Sequence, residues 1–145
     1  MSNIEDFLTT QEEEEIVEAI RIAECDTSGE IRVHIERNCD IDVYEHALEV
    51  FHILKMDNTK EQNGVLIYVA VDNKSFVIFG DHGINNSVGA DFWNSTRDKI
   101  ATHFKSGNFK EGIIDGIKEA GTVLSKYFPW KHDDRDELHN TISKG

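Results

Sequence analysis

The chain has one proline and two cysteines in 145 residues. With 39% hydrophobic and 30% charged residues, such a composition excludes a disordered, low-complexity chain and points to a globular one. Cys25 and Cys39 follow a helical and a strand-like pattern respectively and lack metal-type spacing. A zinc knuckle is therefore excluded, and free thiols in a reducing compartment are the expectation. No apolar run approaches the ~18 residues that cross a bilayer. The opening Met-Ser-Asn-Ile-Glu-Asp has neither the basic nor the apolar region of a signal peptide, so a cytoplasmic chain without membrane insertion is expected.

Basic residues are scarce as well. Against 28 acidic side chains stand 15 lysines and arginines, a formal charge of -13. That field repels phosphate backbones and anionic lipid, which argues against nucleic acid and membrane surfaces as partners. It attracts cations and basic patches on other proteins. Its plainest role is to keep the protein in solution.

Catalytic signatures are missing too. Seven histidines occur without a His-Glu-x-x-His pair. Gly-x-Ser-x-Gly, the Walker phosphate loop and the dinucleotide glycine pattern are all absent. No two carboxylates are singled out by opposed surroundings as an acid and a base. The sequence leaves open whether the chain is an enzyme.

What is present is a regular alternation of helix and strand patterns. Thr9 and Glu12 form a capping box ahead of a helix carrying Ile16, Ile20 and Ala23. Glu30 to Glu36 alternates, which predicts a half-exposed strand with Arg32, His34 and Glu36 on its polar face. Asp42 is placed to cap a second helix striped by Ala47, Val50, Phe51 and Leu54. Val65 to Val71 and Phe76 to Phe79 are apolar runs joined by a short polar turn, a predicted hairpin of doubly buried strands. Residues 80–86 read as a loop, with Ser87 capping a third helix that carries Trp93, Ile100 and Phe104. A fourth runs from about Phe109 to Phe128 and stops at Pro129.

Doubly buried strands need helices on both faces. The expectation is a three-layer α/β/α sandwich, a mixed sheet of three to four strands with about four helices. The domain spans about residues 5–130, and an acidic tail, 131–145, packs on it or extends it.

Following each element's direction returns four acidic segments to one edge of the sheet: Asp26 with Glu30, Asp57 with Glu61, Asp81 with Asp91, and Asp133, Asp134, Asp136 and Glu137. Clustered carboxylates repel, and a hard cation offsets that repulsion with six to eight oxygen ligands at ~2.3–2.6 Å. Asp81, Asn85, Asp91, Asp57, Glu30 and the four tail carboxylates are the candidate ligands for Ca2+ or Mg2+. The competing readings are ordinary: Asp91 complementing a helix dipole, Glu30 paired with a lysine, and a solvated tail. The spacing fits no EF-hand.

Five segments together carry a resemblance. They are Phe7-Leu8-Thr9, Thr27-Ser28-Gly29-Glu30-Ile31-Arg32-Val33, Asn63-Gly64-Val65-Leu66-Ile67-Tyr68-Val69-Ala70, Gly80-Asp81-His82-Gly83-Ile84 with Asp91-Phe92-Trp93, and Gly107-x-Phe109-x-x-Gly112-Ile113. In this order they resemble the TPM domain, named after a thylakoid lumenal protein, a photosystem II repair protein and a nematode receptor modulator. The resemblance implies an α/β/α fold, with divalent-cation binding and weak acid-phosphatase activity known for some members. Many relatives carry a signal peptide and a membrane anchor, so a stand-alone form is expected here. Asp81 stands where relatives often have a glycine-aromatic-glycine turn.

Overall fold

Local chemistry starts the first helix where the sequence places it. In the computed structural model, which describes residues 7–58, 61–89, 91–129 and 142–144, Thr9 Oγ1 accepts from Glu12 N at 3.1 Å. The Glu12 carboxylate in turn accepts from Thr9 N at 2.9 Å. This reciprocal cap satisfies two of the donors that a helix start leaves over. Helix α1 runs Thr10–Glu24, followed by β1 (Glu30–Glu36), α2 (Val43–Ile53), β2 (Gly64–Ala70), β3 (Ser75–Gly80), α3 (His82–Val88), α4 (Asn94–Lys105), α5 (Phe109–Tyr127) and β4 (Ile142–Lys144).

The sheet order is β3-β2-β1-β4. β1 pairs parallel with β2 and with β4, and β2 pairs antiparallel with β3. The β2–β3 hairpin is as the sequence predicts, and α2 connects the parallel strands β1 and β2. Odd-numbered residues of β1 and β2 face α1 and α5, and the shared core there includes Ile16, Ile20, Val33, Ile67, Ile117 and Leu124. The opposite face packs Leu66, Tyr68 and Ala70 beneath Ala47, Val50 and Phe51 of α2. Each fully buried Val, Leu, Ile or Phe side chain among them contributes roughly 1.5–3 kcal/mol. Three layers result, with apolar clusters on both sides of the sheet.

Three local expectations are corrected. β1 is not half-exposed: five of its seven residues are buried, and on its polar face His46 of α2 reaches Glu36 beside His34. β3 is not doubly buried, since it is the outer strand of the sheet and Phe76, Val77 and Phe79 remain half-exposed. Residues 82–88 form a short helix capped by Asp81, and Ser87 caps nothing; its hydroxyl donates back to Gly83 O at 3.0 Å. Gly89, at φ +85°, ends this turn of helix in a conformation that suits glycine. Among the described residues there are therefore five helices, and α4 begins only at Asn94.

Candidate functional site

The lower rim of the sheet, where β1 and β2 begin and β3 ends, gathers the polar residues that the apolar layers cannot take. A belt of hydrogen bonds closes it. Thr27 donates its hydroxyl to Leu124 O at 3.0 Å and also reaches Phe128 O, tying the end of α5 to the α1–β1 turn. Asn63 Nδ2 donates to Ser28 Oγ at 3.2 Å, and Glu30 N donates to Asn63 O at 3.4 Å. On the far side Asp81 N donates to Gly64 O at 3.0 Å and Gly83 N to Gln62 O at 2.9 Å. Four connections that are distant in sequence thus share one edge.

Two carboxylates lie in a row on this rim. β1 pairs Glu30 with Gly64, and the Asp81 N–H to Gly64 bond extends the β2–β3 register by one residue. At about 4.8 Å between neighbouring strands, the Glu30 and Asp81 backbones stand about 10 Å apart. Both residues are buried, Glu30 at 2% and Asp81 at 6% exposure. The Asp81 carboxylate accepts from His82 N at 2.8 Å and so caps α3. Asn85 donates its amide to Gly80 O at 2.9 Å, which fixes that side chain against the same turn.

The remaining predicted ligands divide. Asp57 is on the rim's outer side, exposed and paired with His52 Nδ1 at 2.8 Å, an arrangement worth no more than about 1 kcal/mol. Asp91 is exposed in the turn before α4. Asp133, Asp134, Asp136 and Glu137 lie outside the described residues. Among the described residues, no group of three or more His, Cys, Asp or Glu side chains is arranged to hold a metal ion. The rim by itself is an acidic edge and not a finished coordination cage.

Rim residues outside the predicted set are Glu24, Ser28 and Asn63. Glu24 is buried at 5% exposure, and its Oε2 accepts from Ile31 N at 2.7 Å. Among the described residues β4 pairs with residues 33–35 of β1, and lower on that edge the Glu24 carboxylate serves as the acceptor. Arg32 lies within the field of Glu24 and Glu30; burial lowers its pKa, and the two carboxylates oppose that shift. A sequence signal existed for Asn63, a polar residue directly ahead of an apolar run. None existed for Glu24, which sits in an acidic, amphipathic helix like its exposed neighbours.

Higher on the α2 face of β1 the alternating polar residues form a compact network. Glu36 accepts from Tyr68 Oη at 2.7 Å and contacts His34 Nε2 and His46 Nε2, each at 2.9 Å. The His34 ring stacks on Tyr68 at 5.9 Å between centroids. Burial pushes the Tyr68 hydroxyl pKa far up, and its bond to Glu36 adds to the effect. Burial raises the Glu36 pKa, but the bonds from Tyr68 and His34 outweigh it and hold the carboxyl below its ordinary range. For His34, burial lowers the pKa below 6.5; Glu36 opposes the shift, whereas His46 and Arg32 reinforce it.

With a folded-state pKa below the unfolded value of 6.5, unfolded His34 binds more protons in the interval between them. Its contribution to stability is complete above about pH 6.5 and is lost as pH falls towards the folded-state pKa. The Glu36 contribution is present above its unfolded pKa and declines only at still lower pH. Urea midpoints measured from about pH 7.5 to 5.5 are expected to fall, and His34→Gln is expected to flatten that slope. A wild-type midpoint that stays level or rises over this range contradicts the assignment.

The BA42 protein of the psychrophilic bacterium Bizionia argentinensis, solved by NMR, is 66% identical over 100% of both chains, with a TM-score of 0.91. The N-terminal domain of a P. gingivalis protein is 20% identical at a TM-score of 0.72, covering 90% of this chain and 86% of that one, and it shares the fold. No curated protein matches the chain. The family model for the TPM domain matches residues 2–123, and the chain belongs to the TPM domain family.

Proposed function

We propose that this TPM domain is a divalent-cation-responsive module, in which calcium or magnesium orders the lower rim and the ordered surface meets another protein. The observation that carries the reading is the return of separate acidic segments to one edge, on a chain of formal charge -13. The described residues on either side of positions 130–141 lie towards that edge. Pro129 bridges Thr27, and Ile142 pairs with Val33 in parallel with β1, so β4 starts from the same end of the sheet. Asp81 stands on the other side of the sheet, beyond β2. A shared ion therefore depends on the 12 residues from 130 to 141 reaching across the rim.

Asp91, Asn85 and the tail carboxylates Asp133, Asp134, Asp136 and Glu137 would hold the cation. Glu30 and Asp81 are buried and add negative potential beneath it. The bound ion would supply charge neutralisation, the condition for that edge to pack against a partner. Asp57 is the weakest member of the set, being paired with His52.

A weak metal-dependent acid phosphatase is the second reading, with Asp81 as nucleophile or ligand. It is less favoured because the Asp81 carboxylate is buried and already accepts the His82 N–H. Hydrolysis of a generic phosphate ester that survives Asp81→Asn counts against it.

Calcium titrated into chelator-treated 15N-labelled protein tests the main reading. Saturable amide shifts confined to residues 57–63, 81–91 and 131–138 are the expected result, with a melting temperature that rises with cation concentration. Absent or scattered shifts remove it.

A further inference from the structure

At the opposite end of the sheet from the rim, the β2–β3 turn, the end of α4, the start of α5 and Phe7 enclose a cavity of about 570 Å³. That is within the range of small-molecule sites. Its wall is aromatic. Phe76 and Phe104 rings are 5.2 Å apart, Phe104 and Phe109 5.3 Å, and Phe109 and Phe7 4.7 Å, a continuous chain of four rings. None of the four is fully buried, so the apolar surface is reachable from solvent.

Two lysines, Lys74 and Lys105, complete the lining. The protein has nearly twice as many acidic as basic residues, yet neither ammonium forms an ion pair among the described residues. The carboxylate in the same turn as Lys74, Asp72, is engaged by Arg37 at 3.3 Å. Lys74 also sits at φ +53°, a left-handed position that glycine or asparagine would occupy with less strain. Lys105 lies in the last turn of α4, where a cation complements the helix dipole; no comparable local reason accounts for Lys74.

We propose that this cavity binds a small amphiphilic monoanion, its apolar body against the four phenylalanine rings and its carboxylate between Lys74 and Lys105. An aromatic wall gives the site affinity for hydrocarbon without specificity for shape. The two lining ammonium groups select for the anion, since a charged head makes charge-assisted contacts with them that a neutral one does not. The site lies at the end of the sheet away from the acidic rim and does not depend on cation binding there.

Decanoate titrated into the full 15N-labelled chain is the test, with decanol as the uncharged probe. Saturable amide shifts confined to residues 71–76 and 101–109, with decanol binding at least ~10-fold more weakly, are expected from the charge-assisted contacts. The Lys74→Gln, Lys105→Gln double variant should lose about the same factor for decanoate and leave decanol unchanged; both positions are exposed, so the fold is retained. No saturable shift, or equal binding of the two probes, overturns the proposal. It is also overturned if decanoate binds only after residues 1–6 are deleted and the intact chain shows contacts between Ile4 and the phenylalanine rings. In that case the cavity belongs to the chain's own start.

Discussion

Gly83→Ala is expected to destabilise the protein by about 3 kcal/mol, the upper part of the usual range for overpacking. A Cβ at this position would stand 2.1 Å from Glu61 O and 2.7 Å from Gln62 O. Both atoms are backbone, and they belong to the loop whose Gln62 carbonyl accepts from Gly83 N. No rotamer change relieves the contact. Either α3 lifts from the 61–63 loop or that loop moves away from Asn63 and the rim. Gly89→Ala provides the contrast, because its added methyl meets open space and only the backbone, at φ +85° and ψ 163°, is strained, at roughly 1–3 kcal/mol. Urea unfolding of both variants separates the two costs. If Gly83→Ala costs less than about 1 kcal/mol, the lower end of the range for overpacking, the close approach of α3 to the β2 entrance is not native. A displaced α3 also carries Asp81 and Asn85 with it, so the calcium-induced shifts at residues 81–91 should weaken in this variant.

Glu24→Ala is expected to cost about 3 kcal/mol. Deletion leaves the buried Ile31 N–H without its carboxylate acceptor, a loss of roughly 1–3 kcal/mol. It also removes one of the two carboxylates whose field holds the charge on half-buried Arg32, and breaking buried charge complementarity adds to the total. Glu24→Gln keeps an oxygen for Ile31 N and loses only the charge, so about half the cost is expected. Chemical denaturation resolves the two variants. Equal losses for Ala and Gln show that the charge towards Arg32 dominates; a harmless Ala shows that Glu24 is not needed at the strand edge. This effect is absent from any helical-wheel reading, where Glu24 is one more acid on an acidic helix.

The parts of the fold that were legible are those set by nearest neighbours in sequence. The Thr9–Glu12 capping box, the Asp42 cap, the Val65–Ala70 run and the stop at Pro129 are local devices, and each acts where its residues sit. Alternation in β1 was legible too, but its meaning was not. A polar residue at every second position signals either solvent or a buried polar layer. The choice depends on whether α2 covers that face. Here α2 brings His46 to that face, and Glu36, His34, His46 and Tyr68 satisfy one another there.

The candidate site shows the same division. Chain direction, read from alternating elements, returned Glu30, Asp57 and Asp81 to one end of the sheet. It could not say that Asp57 would pair with His52, that Asp81 would cap a short helix, or that Glu24 would turn inward. The Asp81 cap was obscured because Gly80 and Gly83 read as a flexible loop. In the fold, Gly83 is required for contact with the 61–63 backbone.

By itself the sequence determined the α/β class, the order of most elements, the absence of a long apolar span and the acidic field that favours cations. These follow from composition and periodicity, which every short window of chain carries. Tertiary structure alone decided which carboxylates are buried, which of them meet, and where four phenylalanines and two lysines from separate elements line one cavity. Burial and approach depend on residues far apart in the chain, and no local pattern encodes the distance between them.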